Sequence, residues 1–135
     1  MANFRYLLGA LLLAVGAGCS NPADLTDPTV VAAELQGTWS RDFSIPGMST
    51  VFVISVQNLT VSGTGTFAGE AGPSGTLSLS GQVTPQQMGG PLVHIDFTQS
   101  NGIVGHFSGS LTGANLLSGS LWYTSDPVVA TFRRK

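Results

Sequence analysis

Apolar and polar side chains alternate along most of this chain, beginning near residue 36. In residues 77–83 the odd positions are Leu, Leu, Gly and Val, and the even positions are Ser, Ser and Gln. A period of two is typical of strands that bury one face and expose the other. Turn-forming segments interrupt the pattern, which therefore predicts eight strands. They cover residues 36–44, 49–56, 59–67, 76–84, 91–98, 103–111, 116–124 and 128–134.

A short helix is predicted just before the first strand. Asp27 can accept hydrogen bonds from the free backbone N–H groups of a helix start, and Pro28 loses nothing at the first helical position. The helix then covers residues 29–36, and Gly37 ends it. The polar segment before it, residues 20–26, has the composition of a tether.

The turns predict how neighbouring strands align. Ser100-Asn101-Gly102 and Gly113-Ala114-Asn115 suit three-residue loops, and residues 56–59 permit a two-residue hairpin. The pairings expected from these loops keep apolar side chains on one face: Ile54 with Val61, Ile95 with Phe107, Asp96 with His106, Leu111 with Leu117, and Gly109 with Gly119. The pattern favours an all-β fold, an eight-stranded antiparallel up-and-down β-barrel, over two packed sheets, because closure removes exposed edges.

The N-terminus has the pattern of a secretory signal. Arg5 precedes an apolar run over residues 6–17, and small residues then lead to Cys19. This run is shorter than the roughly 20 apolar residues of a transmembrane helix, so a cleaved signal is expected. The predicted regions are a signal peptide over 1–18, a lipidated N-terminus and tether over 19–27, and a barrel domain over 28–135.

The residues before the single cysteine resemble a known processing motif. Gly16-Ala17-Gly18-Cys19 is similar to the bacterial lipobox, in which the cysteine is lipidated and becomes the mature N-terminus, although Gly16 stands where Leu is usual. The resemblance implies an envelope lipoprotein held at a membrane through Cys19. Ser20 in place of Asp resembles the outer-membrane address of such lipoproteins. An ordinary secretory cleavage is the alternative.

The charge pattern narrows the range of partners. Charged residues make up 9% of the chain, and removal of residues 1–18 leaves four Lys and Arg against seven Asp and Glu, a net charge of −3. Nucleic-acid binding requires clustered Lys and Arg, whereas here the basic cluster is a terminal run at residues 133–135, a kind that is usually solvated. No nucleic-acid partner is therefore expected, and one cysteine leaves no disulfide within the chain.

The first and last strands carry a second resemblance. Leu35-Gln36-Gly37-Thr38-Trp39 follows the helix, and Thr131-Phe132-Arg133-Arg134 forms the last strand. With eight strands between them, these segments resemble the calycin group of lipocalins, avidin-like barrels and fatty-acid-binding barrels. That resemblance implies that Gly37 and Trp39 close one end of the barrel, with Arg133 or Arg134 lying across the indole face.

The calycin resemblance also implies a ligand. A small apolar or amphipathic molecule is expected at the open end, in a cavity of about 300 Å³ or more. The aromatic side chains expected to line it are Phe52, Phe67, Phe97, Phe107 and Tyr123. The alternative is a filled barrel that docks an envelope protein partner on its surface. A third hypothesis, an integral outer-membrane barrel, conflicts with the glycine-rich apolar face and the basic last strand.

One group of side chains has the chemistry of a metal site. The predicted register places Asp96 opposite His106, with His94 two residues along the same strand, so three nitrogen and oxygen ligands share one face. The other interpretation is an exposed ion pair on a polar face, which their outward, hydroxyl-rich side favours. No cofactor is therefore expected.

Catalytic motifs are missing from the sequence. It has no Gly-x-Ser-x-Gly elbow, no paired carboxylates and no glycine-rich loop before a helix, so we expect no enzyme activity. Tyr123 alternates inward and Trp122 outward. A bulge near the strand end would instead turn Trp122 inward, and the sequence does not decide between the two.

Overall fold

The computed structural model describes residues 23–41, 43, 46–69, 72–124 and 126–135. The predicted signal peptide over 1–18 and Cys19 lie outside these residues. The end of the predicted tether lies inside them. Asp24 Oδ1 accepts hydrogen bonds from the backbone N and the hydroxyl of Thr26, at 3.0 and 2.6 Å, and Leu25 packs against the core. This turn is therefore part of the folded domain.

Eight antiparallel strands close into one barrel in chain order, which confirms the predicted all-β, up-and-down fold. The elements are α1 (Pro28–Leu35), β1 (Gly37–Arg41), β2 (Ser49–Gln57), β3 (Thr60–Ala68), β4 (Ser74–Thr84), β5 (Leu92–Gln99), β6 (Val104–Gly113), β7 (Leu116–Trp122) and β8 (Val128–Arg134). Because β8 pairs with both β7 and β1, the sheet closes on itself. This architecture is consistent with a calycin-like fold.

The helix begins where its capping residues predict. Asp27 caps it by accepting hydrogen bonds from the backbone N and the hydroxyl of Thr29, at 2.8 and 2.6 Å. The helix ends at Leu35, one residue earlier than expected, because Gln36 already has extended backbone angles. Gly37 follows with a φ of +126°, a conformation that favours glycine. Val31, Ala32 and Leu35 are buried, so this face of the helix packs on the barrel.

Two of the three predicted strand registers are confirmed. Ile95 pairs with Phe107 and Asp96 with His106 between β5 and β6, and the expected β6–β7 pairs are also present. The register expected between β2 and β3 is wrong by two residues, since Val61 pairs with Val56. The turn falls on Asn58 and the following Leu59 because Asn tolerates the φ of +56° found there. A shift of two residues keeps the apolar face inward.

Apolar side chains from all eight strands fill the barrel. The Phe52 ring stacks on Phe132 at a centroid distance of 4.6 Å and lies 5.6 Å from Phe97. Phe107 meets Phe132 edge to face at 5.4 Å. Each of these four side chains is at most 1% exposed. Contact among the rings across the barrel leaves its centre occupied by protein.

Inward glycines on β6 make room for these rings. A Cβ atom on Gly105 would overlap the Phe97 ring, and one on Gly109 would lie 2.7 Å from the Phe107 ring. Side chains larger than hydrogen would therefore displace the core aromatics. The alternation of Gly with Phe and Leu allows large rings to cross a narrow barrel.

Helix α1 lies across one end of the barrel, and its C-terminus is bonded to β1 and β8. The Trp39 indole N–H donates to the Leu35 carbonyl at 2.8 Å. Arg134 donates to the Gln36 carbonyl at 2.7 Å and to the Glu34 carbonyl. A helix end leaves its last carbonyl groups without helical partners, so these bonds satisfy groups that are otherwise unpaired.

The structure places Arg134, rather than Arg133, over the indole. The Arg134 guanidinium lies 4.6 Å from the Trp39 ring centroid and also donates to the Ala114 carbonyl at 3.0 Å. A Cβ atom at residue 37 would lie 2.9 Å from Arg134 Nη1, so Gly37 leaves space for this contact. Arg133 is exposed on the opposite face of β8.

None of the described residues form a helix with both the length and the hydropathy of a membrane-spanning segment.

Arg134→Met tests the closure of the barrel. We expect the free energy of unfolding to fall by about 2–3 kcal/mol, because hydrogen bonds from charged groups contribute about 1.5–3 kcal/mol. Urea unfolding measures the change. Arg133→Met, at an exposed position on the other face of β8, is the matched control and should lower the free energy of unfolding by clearly less than Arg134→Met does. Equal losses in both variants would contradict the role given to Arg134.

Candidate functional site

The outward face of β5 and β6 carries three side chains that meet at one carboxylate oxygen. His106 lies opposite Asp96, and His94 precedes Asp96 by two residues on the same strand. Asp96 Oδ1 is 2.6 Å from His106 Nδ1 and 3.0 Å from His94 Nε2. We call these three residues the His–Asp–His cluster. The sequence predicted both their pairing and their shared face.

The hydrogen bonds of the cluster determine which ring nitrogens carry protons. An ionised carboxylate accepts hydrogen bonds and donates none, so both ring nitrogens that face Asp96 are donors. A neutral His94 is therefore the Nε2–H tautomer, and a neutral His106 is the Nδ1–H tautomer. The second nitrogen of each neutral ring then holds a lone pair.

The cluster is negatively charged at its centre. The hydrogen bond from His106 lowers the pKa of Asp96; burial partly opposes this effect, and the charge and hydrogen bond of His94 add to it. The Asp96 side chain is 45% exposed and each histidine 34%, so solvent screens these interactions. Asp96 is consequently an ionised acceptor throughout the neutral pH range.

Trp122 faces outward beside the cluster, which decides the question that the sequence left open. It lies opposite His106 on β7, with ring centroids 5.5 Å apart, and 6.3 Å from the His94 ring. The two imidazole rings are 6.3 Å apart and nearly parallel. The Trp122 ring and the contact between the two imidazoles therefore limit the movement of both histidine side chains. The neighbouring outward positions carry hydroxyl groups, from Ser80, Ser108 and Ser120.

The five aromatic residues predicted to line a ligand cavity divide into two groups. Phe52, Phe97 and Phe107 belong to the filled core. Phe67 and Tyr123 lie towards the end of the barrel remote from α1, where Tyr123 is 36% exposed. The Phe97 and Tyr123 rings meet edge to face at 5.6 Å. Tyr123 therefore covers the core at this end.

Polar side chains on inward positions join Tyr123 there. Gln99 is buried and donates from Nε2 to the Tyr123 hydroxyl at 3.2 Å. Arg41, the last residue of β1, shares the inward direction of Trp39 two residues earlier. Its guanidinium lies 4.4 Å from the Phe43 ring centroid. We call Arg41, Phe43, Gln99 and Tyr123 the far-end cluster.

Arg41 is the functional candidate that the sequence analysis missed. Its Nε atom is buried and has no hydrogen-bond partner among the described residues. Burial lowers the pKa of its guanidinium, and the nearby Tyr123 opposes that change. Arginine nevertheless keeps its charge in proteins. A half-buried cation with an unpaired donor is a group that an anion stabilises.

A groove of about 380 Å³ lies outside the barrel, between α1 and the β2–β3 turn. Its lining is uncharged and consists of Thr29, Ala32, Ala33, Gln36, Val56, Asn58 and Leu59. None of the predicted site residues contributes to it. Its small and uncharged side chains offer packing surface and few groups that could fix a ligand's orientation.

Comparison of this chain with protein-family models, with curated proteins and with solved structures finds no match.

Asp96→Asn tests the electrostatics of the His–Asp–His cluster. The folded-state pKa of Asp96 is below its unfolded value, so its stabilising contribution is complete above the ordinary carboxyl pKa of about 3.9 and is lost as the pH falls through the folded value. We expect the stability difference between the unsubstituted protein and Asp96→Asn to shrink from about pH 4 downward. Urea unfolding at several pH values measures it.

The control for this experiment is Asp126→Asn. Asp126 is an exposed aspartate beyond the end of β7, outside the cluster. At neutral pH its substitution should lower the free energy of unfolding by less than Asp96→Asn does. A difference between the unsubstituted protein and Asp96→Asn that stays constant down to about pH 2 would contradict the assignment.

Proposed function

We propose that this chain is a non-catalytic binding protein of the bacterial cell envelope, tethered to a membrane through a lipidated Cys19. Its ligand is a small amphipathic molecule with an anionic head, held at the far-end cluster rather than deep inside the barrel. The observation that carries this proposal is the half-buried Arg41, whose Nε finds no hydrogen-bond partner in the described part of the chain. The proposal keeps the ligand class expected from the calycin resemblance and moves its site outward.

Arg41 is the reason to expect an anionic group on the ligand. A guanidinium offers five N–H donors in a planar fork, which matches a carboxylate or a phosphate. Its cation–π contact with Phe43 provides no hydrogen-bond acceptor. Burial on an inward strand position reduces competition from water, which strengthens an ion pair formed there. Gln99 and Tyr123 add further polar groups at the same end.

The packing of the core supports a shallow site. Phe52, Phe97 and Phe132 occupy the centre of the barrel, so an apolar chain has no space beside them without rearrangement. Phe43, Phe67 and Tyr123 instead offer aromatic surface at the far end. The apolar part of the ligand would lie across these rings while its head reaches Arg41.

The N-terminal sequence supports a location in the cell envelope. The apolar run over residues 6–17 and the lipobox-like Gly16-Ala17-Gly18-Cys19 direct the chain to the envelope, and Ser20 favours the outer membrane of a Gram-negative cell. The membrane is then the first partner of the protein. The hydrogen-bonded turn at Asp24 lies five residues after Cys19 in the sequence, so a lipid on Cys19 would hold the barrel close to the bilayer.

A second candidate function follows from the outer face of the barrel. Val104 and Val129 are 45% and 84% exposed, and both share the outward face of Trp122. Exposed apolar side chains grouped around an aromatic ring are typical of protein contact surfaces. A filled barrel that docks an envelope protein on this face is therefore the alternative.

Arg41→Gln tests the proposed ligand site. Full-length protein is purified in dodecyl maltoside, a neutral detergent, and dodecanoate is added before native mass spectrometry. We expect retention of dodecanoate by the unsubstituted protein and an affinity at least about tenfold lower in Arg41→Gln, because the charge-assisted hydrogen bonds to the carboxylate are lost.

Arg133→Gln is the matched control, since it removes an equal charge from an exposed outward position. It should retain dodecanoate as well as the unsubstituted protein does. Equal retention by all three proteins would contradict the role of Arg41. A protein partner retained from the host in place of an amphiphile would favour the alternative function.

Cys19→Ala tests the tether independently. We expect the unsubstituted protein to incorporate radiolabelled palmitate and to sediment with membranes, because lipidation requires the cysteine thiol. The variant should incorporate no label. Variant molecules whose signal peptide has been cleaved should be absent from the sedimented membranes. If Cys19→Ala molecules with a cleaved signal peptide sediment with membranes as much as the unsubstituted protein does, Cys19 is not the anchor.

A further inference from the structure

We propose that the His–Asp–His cluster binds one divalent transition-metal ion of the zinc class, on the outer face of the barrel. The ligand atoms would be His94 Nε2, Asp96 Oδ1 and His106 Nδ1, which all lie within 4.8 Å of one another. This site is separate from the far-end cluster. Its existence does not depend on the proposed amphipathic ligand.

The spacing of the three atoms is close to what a metal requires. Zinc bonds to nitrogen and oxygen are about 2.0–2.2 Å long, so two ligand atoms of a tetrahedral ion lie about 3.3 Å apart. Asp96 Oδ1 is 3.0 Å from His94 Nε2 and 2.6 Å from His106 Nδ1. Both of these separations need to open by less than about 1 Å. The two ring nitrogens lie within 4.8 Å of each other and need to approach by at most about 1.5 Å, and small side-chain rotations provide both changes.

The strands position the three metal-ligating side chains in the metal-free protein. His94 and Asp96 project from alternate positions of β5, and the β5–β6 register fixes His106 opposite Asp96. Trp122 lies against the His106 ring at 5.5 Å and restricts its rotation. A site built on sheet positions is more precise than one built on loops, so little conformational entropy is lost on binding.

The chemistry of the ligands selects the class of metal. Two imidazole nitrogens with one carboxylate suit zinc, copper and nickel, whereas magnesium and calcium require sites dominated by oxygen. Three protein ligands leave a fourth position open towards solvent, because each side chain is about one third or more exposed. Water, or a donor group of another molecule, can take that position.

Metal binding changes the positions of two protons. In the metal-free cluster His94 Nε2 and His106 Nδ1 donate to Asp96, so neither has a free lone pair. A metal bond requires the lone pair on each of these atoms. When both rings are neutral, the proton moves to the other nitrogen, giving the Nδ1–H tautomer of His94 and the Nε2–H tautomer of His106. No net proton is released.

Titration calorimetry with zinc chloride tests the proposal. Full-length protein in dodecyl maltoside should bind one ion, and the same protein should give no signal with magnesium chloride. His94→Gln and His106→Gln should each weaken binding at least about tenfold, since loss of even an outer-sphere partner weakens metal binding 10–100-fold. Asp126→Asn, an exposed carboxylate outside the cluster, should bind as the unsubstituted protein does.

A second measurement identifies the ligand atoms. Nitrogen-15 NMR of the two histidine rings should show both tautomers reversing when zinc is added. Copper(II) should quench the emission of Trp122 and spare that of the buried Trp39, so Trp122→Phe should lose the quenching. Zinc binding that survives in both histidine variants, no binding at all, or unchanged tautomers would each overturn the proposal.

Discussion

The bonding of Arg134 and Trp39 to the end of α1 is the interaction on which the rest of the fold depends. β1 pairs with β8 from Trp39 to Arg41, and one further backbone hydrogen bond runs from Lys135 N to the Thr38 carbonyl, so the strand ladder alone closes the barrel over a short seam. Arg134 and Trp39 add charge-assisted and neutral hydrogen bonds to helix carbonyl groups at the same seam. A cation is also favoured at a helix C-terminus, where the helix dipole is negative. One contact therefore joins the helix, the first strand and the last strand.

Closure around large aromatic side chains determines where function can reside. The Phe52, Phe97, Phe107 and Phe132 rings take up the centre that a wider barrel would leave for a ligand. Charged and titratable side chains that could bind a ligand or a metal therefore lie outside this core. Two clusters combine titratable or charged groups with aromatic support: the far-end cluster around Arg41 and the His–Asp–His cluster beside Trp122.

Much of this arrangement follows from the sequence because strand alternation is strict. The loop over residues 100–102 was enough to place Asp96 opposite His106. The β2–β3 turn was misplaced by one residue: it falls on Asn58 and Leu59 rather than on Gln57 and Asn58, because Asn58 tolerates the positive φ found there. Alternation predicts the inward direction of Arg41, but only the packed structure shows that its Nε has no hydrogen-bond partner among the residues that the structure describes. Trp122 stayed undecided because no local pattern reveals a bulge.

We propose that the filled core moves ligand binding to the far end of the barrel. Intermolecular nuclear Overhauser effects between carbon-13-labelled dodecanoate and the protein, in deuterated detergent, measure which side chains the ligand contacts. We predict contacts from the ligand to Phe43, Phe67 and Tyr123, with its carboxylate nearest Arg41. Contacts to Phe52 and Phe132 would instead show that the core opens to admit the ligand's alkyl chain, and would rule out binding at the far end.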